Sequence, residues 1–268
     1  MTKAKAALPA LLAFGLLLLA QPRAHAQGNP PGVNPTHFWT YQLRQPFNHP
    51  QPIAVQDQFF PTAVPVTVDN LTRLANWVIK TDPTTGFTSS PLDTFVHYTW
   101  WNVVDKLPVN KSVLVTNQFG SYPVTVSNLE FLLTPAFKNN QTGVPFPTAN
   151  HYLCYRAAGF PSPNRPFYLQ DEWRQDSQVP GPLEFLCVPC LKQHNGQTYP
   201  IVDPATHLAL YPITPQSELF YPFISDQFVA GPQFVQQLPV EYLVVPSLKQ
   251  IVTDAKHRTW GQLKMLYR

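Results

Sequence analysis

The sequence predicts an all-β fold with four tandem units of about 55 residues, built from short antiparallel strands and expected to pair into two β-sandwich or barrel-like modules. The first reason is composition: 31 prolines and only 12% charged residues favour short strands joined by turns over helices. The second is a motif that recurs at fixed spacing. The third is segments such as 151–155, apolar on both faces, which are typical of strands buried between two layers.

Each unit opens with His, continues with Asp or Asn about 20 residues later, and closes with Lys. The His residues are His37, His97, His151 and His207; the Asp or Asn residues are Asp57, Asn117, Asp171 and Asp226; the Lys residues are Lys80, Lys138, Lys192 and Lys249. Successive His residues are 60, 54 and 56 positions apart. A unit of this length cannot bury its own apolar face, so the four units are expected to pack on one another.

The sequence divides into five segments. Residues 1–26 are predicted to be a signal peptide, because Lys3 and Lys5 precede an apolar run and Ala24-His25-Ala26 offers a small-residue cleavage site after Ala26. Residues 27–36 are a Pro-rich lead-in, 37–143 the first pair of units, 144–249 the second pair, and 250–268 a basic tail. We expect a secreted chain, periplasmic or extracellular, with no membrane span in its mature part.

The formal charge of +3 is concentrated at the two ends of the chain. The predicted leader contributes three positive charges, and the tail contributes four against one negative charge, again a net three. Residues 27–249 therefore carry 3 − 3 − 3, or −3. A nucleic-acid partner normally requires a basic face, so that class of partner is not expected.

The repeat suggests how the three cysteines pair. Cys154 and Cys187 occupy positions that are both non-cysteine in the other three units, which predicts that they face each other and form a disulfide. Closing a loop of this length would stabilise the fold by roughly 3 kcal/mol. Cys190 is then the free thiol, and exchange between Cys187 and Cys190 remains an alternative.

The order His-x-x-Cys-Tyr, Asp-Gln-Phe and Leu-Cys-Val-Pro-x-x-Lys resembles an uncharacterised repeat found in exported bacterial proteins. The third unit has the fullest version, from His151 to Lys192, although Glu172-Trp173 stands there in place of Gln-Phe. The resemblance covers nearly all of residues 37–249. It implies an exported bacterial β-repeat protein, a domain of unknown function, and it transfers no catalytic residue.

The recurring His and Asp or Asn residues could form a metal site or an acid–base pair. Asn117 argues against this, because an amide cannot replace a carboxylate that must carry charge. A His that is hydrogen-bonded to a neighbouring strand or turn is the simpler interpretation. Fingerprints of hydrolases and nucleotide-binding proteins are also missing from the sequence. We predict no catalytic residue, metal or cofactor.

The recurring Lys near an Asp or Asn raises a second hypothesis, an intramolecular isopeptide bond. Such a bond requires an assisting carboxylate, and Glu130, Glu184 and Glu241 are equivalent positions of three units. The competing interpretation is an ordinary salt bridge or a solvated Lys after a strand. Loss of mass from the intact chain would distinguish the two.

Four tryptophans of the first two units are candidates for ligand binding: Trp39, Trp77, Trp100 and Trp101. Exposed indole rings could stack on sugars, whereas the alternative is that they fill the core. We therefore expect a non-enzymatic protein with a structural or binding role in the bacterial envelope or extracellular space. A glycan- or protein-ligand module is the alternative, and a hydrolase a distant one. The partner is unknown; an envelope glycan, an envelope protein or a second copy of the chain are the classes considered.

Overall fold

The structure is a computed structural model that describes residues 30–44, 48–139, 149–216, 219–229 and 232–251. The predicted signal peptide, the start of the lead-in and residues 252–268 of the basic tail lie outside the described residues. Within the described ranges, no helix has the length and hydrophobicity of a membrane span.

The all-β class is confirmed, since the described residues form strands and no helix. The strands are β1 (His37–Leu43), β2 (Asn48–Gln56), β3 (Val64–Thr81), β4 (Thr88–Ser89), β5 (His97–Val103), β6 (Pro108–Asn117), β7 (Gly120–Lys138), β8 (His151–Ala158), β9 (Phe167–Gln170), β10 (Gln175–Gln178), β11 (Phe185–His194), β12 (Gln197–Tyr199), β13 (His207–Pro212), β14 (Phe223–Ser225), β15 (Gln233–Phe234) and β16 (Gln237–Ile251). Each unit contributes one short strand that starts at its His and one longer strand that carries its Lys.

These short and long strands close into a ring of eight antiparallel strands. Each short strand pairs with the long strand of its own unit, as β1 with β3 and β8 with β11. It also pairs with the long strand of a neighbouring unit: β1 with β16, β5 with β3, β8 with β7, and β13 with β11. Unit 1 (37–80) therefore adjoins unit 2 (97–138) and unit 4 (207–249), and lies opposite unit 3 (151–192).

The inside of the ring is filled by a cluster to which all eight strands contribute: Phe38, Ala75, Tyr98, Trp100, Leu133, Tyr152, Cys154, Phe185, Cys187, Leu208, Leu210 and Val244. Trp100 on β5 stacks on Tyr242 of β16 with ring centroids 6.3 Å apart. These two strands are not neighbours in the ring, so this contact crosses its interior. At the same end, the Arg73 guanidinium lies over both rings and pairs with Glu241 at 2.6 Å.

A second apolar layer covers the outside of the ring. Four of the remaining strands extend their units toward the unit opposite: β2 pairs with β11, β6 with β16, β9 with β3, and β14 with β7. Alternate residues of the ring strands, such as Trp39 and Tyr41 of β1, pack beneath these outer strands in the larger of two buried clusters. Strands buried on both faces explain why each unit opens with five almost uniformly apolar residues.

The grouping of the units differs from the expected two modules. Strand β7 of unit 2 pairs with β8 of unit 3 as extensively as it does with its own β5, so one antiparallel sheet continues across the expected boundary. The physical reason is that a module of two units would leave unpaired edge strands on both sides, whereas four units close the sheet and satisfy those edges.

Candidate functional site

The recurring Asp or Asn ends the outer strand of its unit and shapes the turn that follows. Asp57 Oδ1 accepts the backbone N–H of Phe59 at 2.8 Å and of Phe60 at 2.9 Å. The same bonds form at Asp171 and Asp226, and Asn117 Oδ1 accepts the N–H of Phe119 at 2.9 Å. An Asx turn requires only one side-chain oxygen, so Asn serves as well as Asp.

The second side-chain atom of each of these residues reaches the unit opposite. Tyr155 of unit 3 donates its hydroxyl to Asp57 Oδ2 at 2.7 Å, and Tyr41 of unit 1 donates to Asp171 Oδ2 at 2.6 Å. The other diagonal is formed by Trp101 Nε1 donating to Asp226 Oδ2 at 2.8 Å and by Asn117 Nδ2 donating to the Tyr211 hydroxyl at 2.9 Å. The direction of the last bond is reversed, which explains how an amide replaces a carboxylate.

The His residues join adjacent units. His37 Nδ1 donates to the Pro35 carbonyl at 2.8 Å while its Nε2 accepts from Gln118 at 2.5 Å. His207 makes the same pair of bonds with the Ala205 carbonyl and Gln58, and His151 Nε2 accepts from Gln227. Burial, reinforced by the nearby unit Lys, lowers the pKa of His37 and His151 and lowers that of His207 to about 4. These imidazoles are therefore neutral connectors between a turn and the next unit.

The recurring Lys residues lie at the same junctions between adjacent units. Lys80, Lys138 and Lys192 are 1% exposed or less. Each ammonium lies over an aromatic ring of the following unit: Lys80 over Phe119, Lys138 over Trp173, Lys192 over Phe228, and Lys249 over Phe59 at 4.0 to 5.8 Å. Burial lowers the pKa of all four to about 7, and a nearby carboxylate opposes the shift in each case. They are not solvated Lys residues at strand ends.

One junction departs from this pattern. Glu172 stands where the other units have Gln, and it contacts the ammonium of Lys138. Asn76, which is fully buried, accepts from Lys138 Nζ at 3.2 Å through Oδ1 and donates to Glu172 Oε1 at 3.3 Å through Nδ2. The positions equivalent to Asn76 are Thr134, Val188 and Val245.

The carboxylates that the sequence suggested as partners of the recurring Lys lie elsewhere. Glu130 pairs with Lys106 at 2.9 Å, Glu241 pairs with Arg73, and Glu184 accepts the Tyr242 hydroxyl at 2.9 Å. The sequence did not predict the contact between Asn76 and Glu172, because these residues are 96 positions apart and belong to different units. The available signal was that both depart from the residue type of the repeat.

The predicted disulfide between Cys154 and Cys187 is present, and Cys190 is a buried free cysteine. The bond joins β8 to β11 within the ring, where Cys154 lies opposite Cys187. Burial raises the pKa of the Cys190 thiol, which keeps that thiol in its protonated, unreactive form.

The tryptophans do not form the expected stacking surface. Trp39, Trp100 and Trp101 are at most 1% exposed, and Trp77 is half-buried against the inner cluster. Trp100 stands at the position of Cys154 and fills the ring interior. The prediction that these rings bind a ligand is therefore wrong for Trp39, Trp100 and Trp101, which occupy the core; for Trp77 it stays a prediction.

A pocket of about 110 Å³ opens at the end of the ring where the short strands begin. Its floor consists of the second residue of each short strand: Phe38, Tyr98, Tyr152 and Leu208. The Phe38 and Tyr98 rings meet edge to face at 5.3 Å, as do Tyr98 and Tyr152 at 5.7 Å. We call this the axial pocket, because all four units contribute to its floor.

Two carboxylates face the floor of the axial pocket. Asp93 and Asp203 line its wall together with Asn150 and Thr206. Burial raises the pKa of Tyr98, and the neighbouring Tyr152 and then the charges of Asp203 and Asp93 add to that effect. Val202, which also lines the pocket, is 49% exposed.

Two other surface features have less to recommend them as ligand sites. A more open groove of about 440 Å³ lies between β2 and the β11–β12 turn, and its lining contains no charged side chain. Tyr221, Phe223 and Phe234 form a stacked group of half-exposed rings on the β14–β15 hairpin, but nothing in the structure shows what covers them. In the part of the chain that the structure describes, no group of three or more His, Cys, Asp or Glu could hold a metal ion.

Comparison with known families gives one match: the family described as a repeat of unknown function (DUF7450) matches residues 91–247, more than half of the 268 residues. Neither the curated proteins nor the solved structures contain a match to the chain.

Proposed function

Because the chain belongs to the DUF7450 repeat family, whose description assigns no activity, we propose a function from the geometry: an exported, non-enzymatic binding protein whose ligand site is the axial pocket. The observation that supports this is that Asp93 and Asp203 line the same concave site as the aromatic rings of its floor. The predicted leader and the disulfide are consistent with an oxidising, extracytoplasmic compartment.

The chemistry of the axial pocket fits a small cationic group. Phenyl and phenol rings attract cations through their negative faces, and the effect is larger where water is excluded. Asp93 and Asp203 add two negative charges on the wall, so an ammonium group would be favoured over a neutral group of the same shape. The exposed Val202 in the lining fits an apolar continuation of the same ligand.

The positions of the repeated His, Asp and Lys residues support the proposal that the protein is not an enzyme. The repeated His, Asp and Lys residues contact Gln, Tyr and aromatic side chains of other units at the unit junctions. They serve the closure of the ring and are absent from the lining of the axial pocket.

The test is calorimetric titration of the protein with tetramethylammonium and with tert-butanol, its neutral analogue of similar shape. We expect binding of the cation that weakens as salt is added, and no binding of the alcohol. Asp93→Asn should weaken binding about tenfold, or about 1.4 kcal/mol, because one of the two charges is lost. Among the described residues, the Asp93 side chain accepts a local bond from the Phe95 N–H, which an Asn oxygen can keep.

The matched control is Asp105→Asn, since Asp105 also accepts a backbone N–H but lies outside the axial pocket. It should bind the cation as the unaltered protein does. Equal binding of cation and alcohol, or no binding of the cation at millimolar concentration, would contradict the proposal.

A further inference from the structure

The junction of units 1, 2 and 3 brings together a Lys, an Asn and a Glu. Lys138 ends β7, Asn76 lies on β3, and Glu172 follows β9. Every unit has the Lys, but only unit 1 has Asn at the position of Asn76, and only unit 3 has Glu at the position of Glu172. Two departures from the repeat therefore converge on one shared residue.

We propose that Lys138 and Asn76 form an intramolecular isopeptide bond, with Glu172 carrying the proton. The contacts that carry this proposal are Lys138 Nζ to Asn76 Oδ1 at 3.2 Å, Asn76 Nδ2 to Glu172 Oε1 at 3.3 Å, and Glu172 Oε1 to Lys138 Nζ. The amine is adjacent to the amide carbon that it would attack, and one carboxylate oxygen touches both the entering and the leaving nitrogen.

The reaction balances without an outside reagent. The neutral amine of Lys138 adds to Cγ of Asn76, and Glu172 takes a proton from Nζ as the new C–N bond forms. Glu172 then passes this proton to Nδ2, the Cγ–Nδ2 bond breaks, and ammonia leaves. The products are a secondary amide between the two side chains and a regenerated carboxylate, with no oxidation or reduction.

The surroundings favour each step. Burial lowers the pKa of Lys138 to about 7, so a large fraction of the amine is neutral and nucleophilic near neutral pH. The Trp173 ring lies 4.3 Å from Nζ and, with the buried Asn76, shields the amide from water. Glu172 is 33% exposed in its side chain, which leaves a path by which ammonia can escape.

The other three junctions lack both partners. Asn76 lies in the unit that precedes Lys138, and the equivalent residue for Lys192 is Thr134 of unit 2; the unit that follows Lys192 carries Gln227 in place of Glu172. Lys192 Nζ has no hydrogen-bond partner among the described residues. Lys192 is therefore a natural comparison that shares burial and a pKa of about 7 but should not react.

Such a bond would link β3 to β7 across β5, which lies between them in the ring. It would lock unit 1 to unit 2 independently of the disulfide, which joins β8 to β11 within unit 3. This inference concerns the frame of the ring and does not depend on the ligand proposed for the axial pocket.

The test is the intact mass of the purified full chain after reduction of the disulfide. We expect a mass about 17 Da below that of the sequence, for one molecule of ammonia. Because an N-terminal Gln also cyclises with loss of ammonia, the bond must be located by tryptic digestion. The expected product joins peptide 74–80 to peptide 112–156, with cleavage after Lys138 blocked.

Three variants complete the experiment. Asn76→Thr, which copies Thr134, and Glu172→Gln, which copies Gln118, should both yield the unlinked peptides. Lys192→Met should retain the branched peptide and the mass loss. Retention of the disulfide in each variant reports that the ring has folded.

An unaltered chain with no branched peptide would overturn the proposal. So would a loss of about 18 Da with Glu172 as the linked residue, since water is lost when a carboxyl group is the electrophile.

Discussion

At the scale of single residues, the recurring Asp or Asn has two separate tasks. One side-chain atom holds its own turn, as Asp57 Oδ1 does for the Phe59 N–H, and the other binds the unit opposite, as Asp57 Oδ2 does for Tyr155. Burial raises the pKa of Asp57, and the Tyr155 hydroxyl opposes that shift. Hydrogen bonds to charged groups are stronger than neutral ones, so the four diagonal bonds should differ in value.

Replacing the two diagonal tyrosines by Phe should show this difference. Tyr155→Phe leaves the buried Asp57 oxygen without its hydroxyl donor, and we expect a loss of about 1.5–3 kcal/mol in the free energy of unfolding. Tyr211→Phe removes a neutral bond to Asn117, and we expect a loss of about 0.5–1.5 kcal/mol. Denaturant unfolding of both variants at pH 7 provides the measurement. Equal losses would mean that the charge of Asp57 adds nothing to its bond.

At the scale of strands, a disulfide joins β8 to β11, whereas the other units have packed non-cysteine side chains at the same two positions. Cys154 and Cys187 face each other in register, and unit 4 has Leu210 and Val244 at the same positions. All of these residues belong to the inner cluster of the ring. Covalent closure and apolar filling are therefore two solutions to the same local problem.

This predicts that the pair borrowed from unit 4 restores part of the stability of the disulfide. The double variant Cys154→Ala with Cys187→Ala loses both the cross-link and the volume, so it should cost more than the roughly 3–4 kcal/mol expected for a loop of this size. The double variant Cys154→Leu with Cys187→Val loses only the cross-link. Thermal unfolding of the two should rank the second above the first, and the reverse order would show that the ring cannot accept the larger side chains.

At the scale of the molecule, the repeat accounts for what could be predicted. Fixed spacing from His37 to Lys80 and its three counterparts reveals the units, and the joint appearance of Cys154 and Cys187 reveals their proximity. Closure into one ring could not be read from the sequence, because β7 pairs with β5 and β8 through backbone bonds that no side-chain pattern specifies.

The candidate sites were harder to predict for the same reason. The floor of the axial pocket comes from Phe38 and its equivalents, which are ordinary apolar strand residues until the ring brings them to one axis. The tryptophans were singled out for their chemistry, but Trp100 fills the ring interior in place of a cysteine. The amino-acid composition therefore does not distinguish an aromatic side chain that binds a ligand from one that packs in the core.

The four recurring Lys, together with His37, His151 and His207, whose pKa values burial lowers, should give the whole molecule an unusual pH dependence. The pKa of Lys192 is about 7 in the folded chain against an ordinary value of 10.5, so the unfolded chain binds more protons between these values and stability rises with pH. For His207 the same sign applies between about 4 and 6.5. Burial raises the pKa of Cys190 and Tyr155, so these two groups oppose the rise above about pH 9 to 10, and stability falls once the Lys residues of the unfolded chain have also lost their protons.

We therefore expect the free energy of unfolding to be greatest near pH 10, above the range of about 5 to 8 in which most proteins are most stable. Lys192→Met should make the profile flatter between pH 7 and 10 and raise stability at pH 7 by about 1–4 kcal/mol, because it removes the cost of burying an ammonium. Lys106→Met is the control, since Lys106 is 38% exposed in its side chain and pairs with Glu130 at the surface. Chemical denaturation at a series of pH values measures all three proteins. A Lys192→Met profile parallel to that of the unaltered protein would show that Lys192 is charged throughout, stabilised by its aromatic neighbours and Asp226. The rise of stability with pH would then have to come from the other junctions.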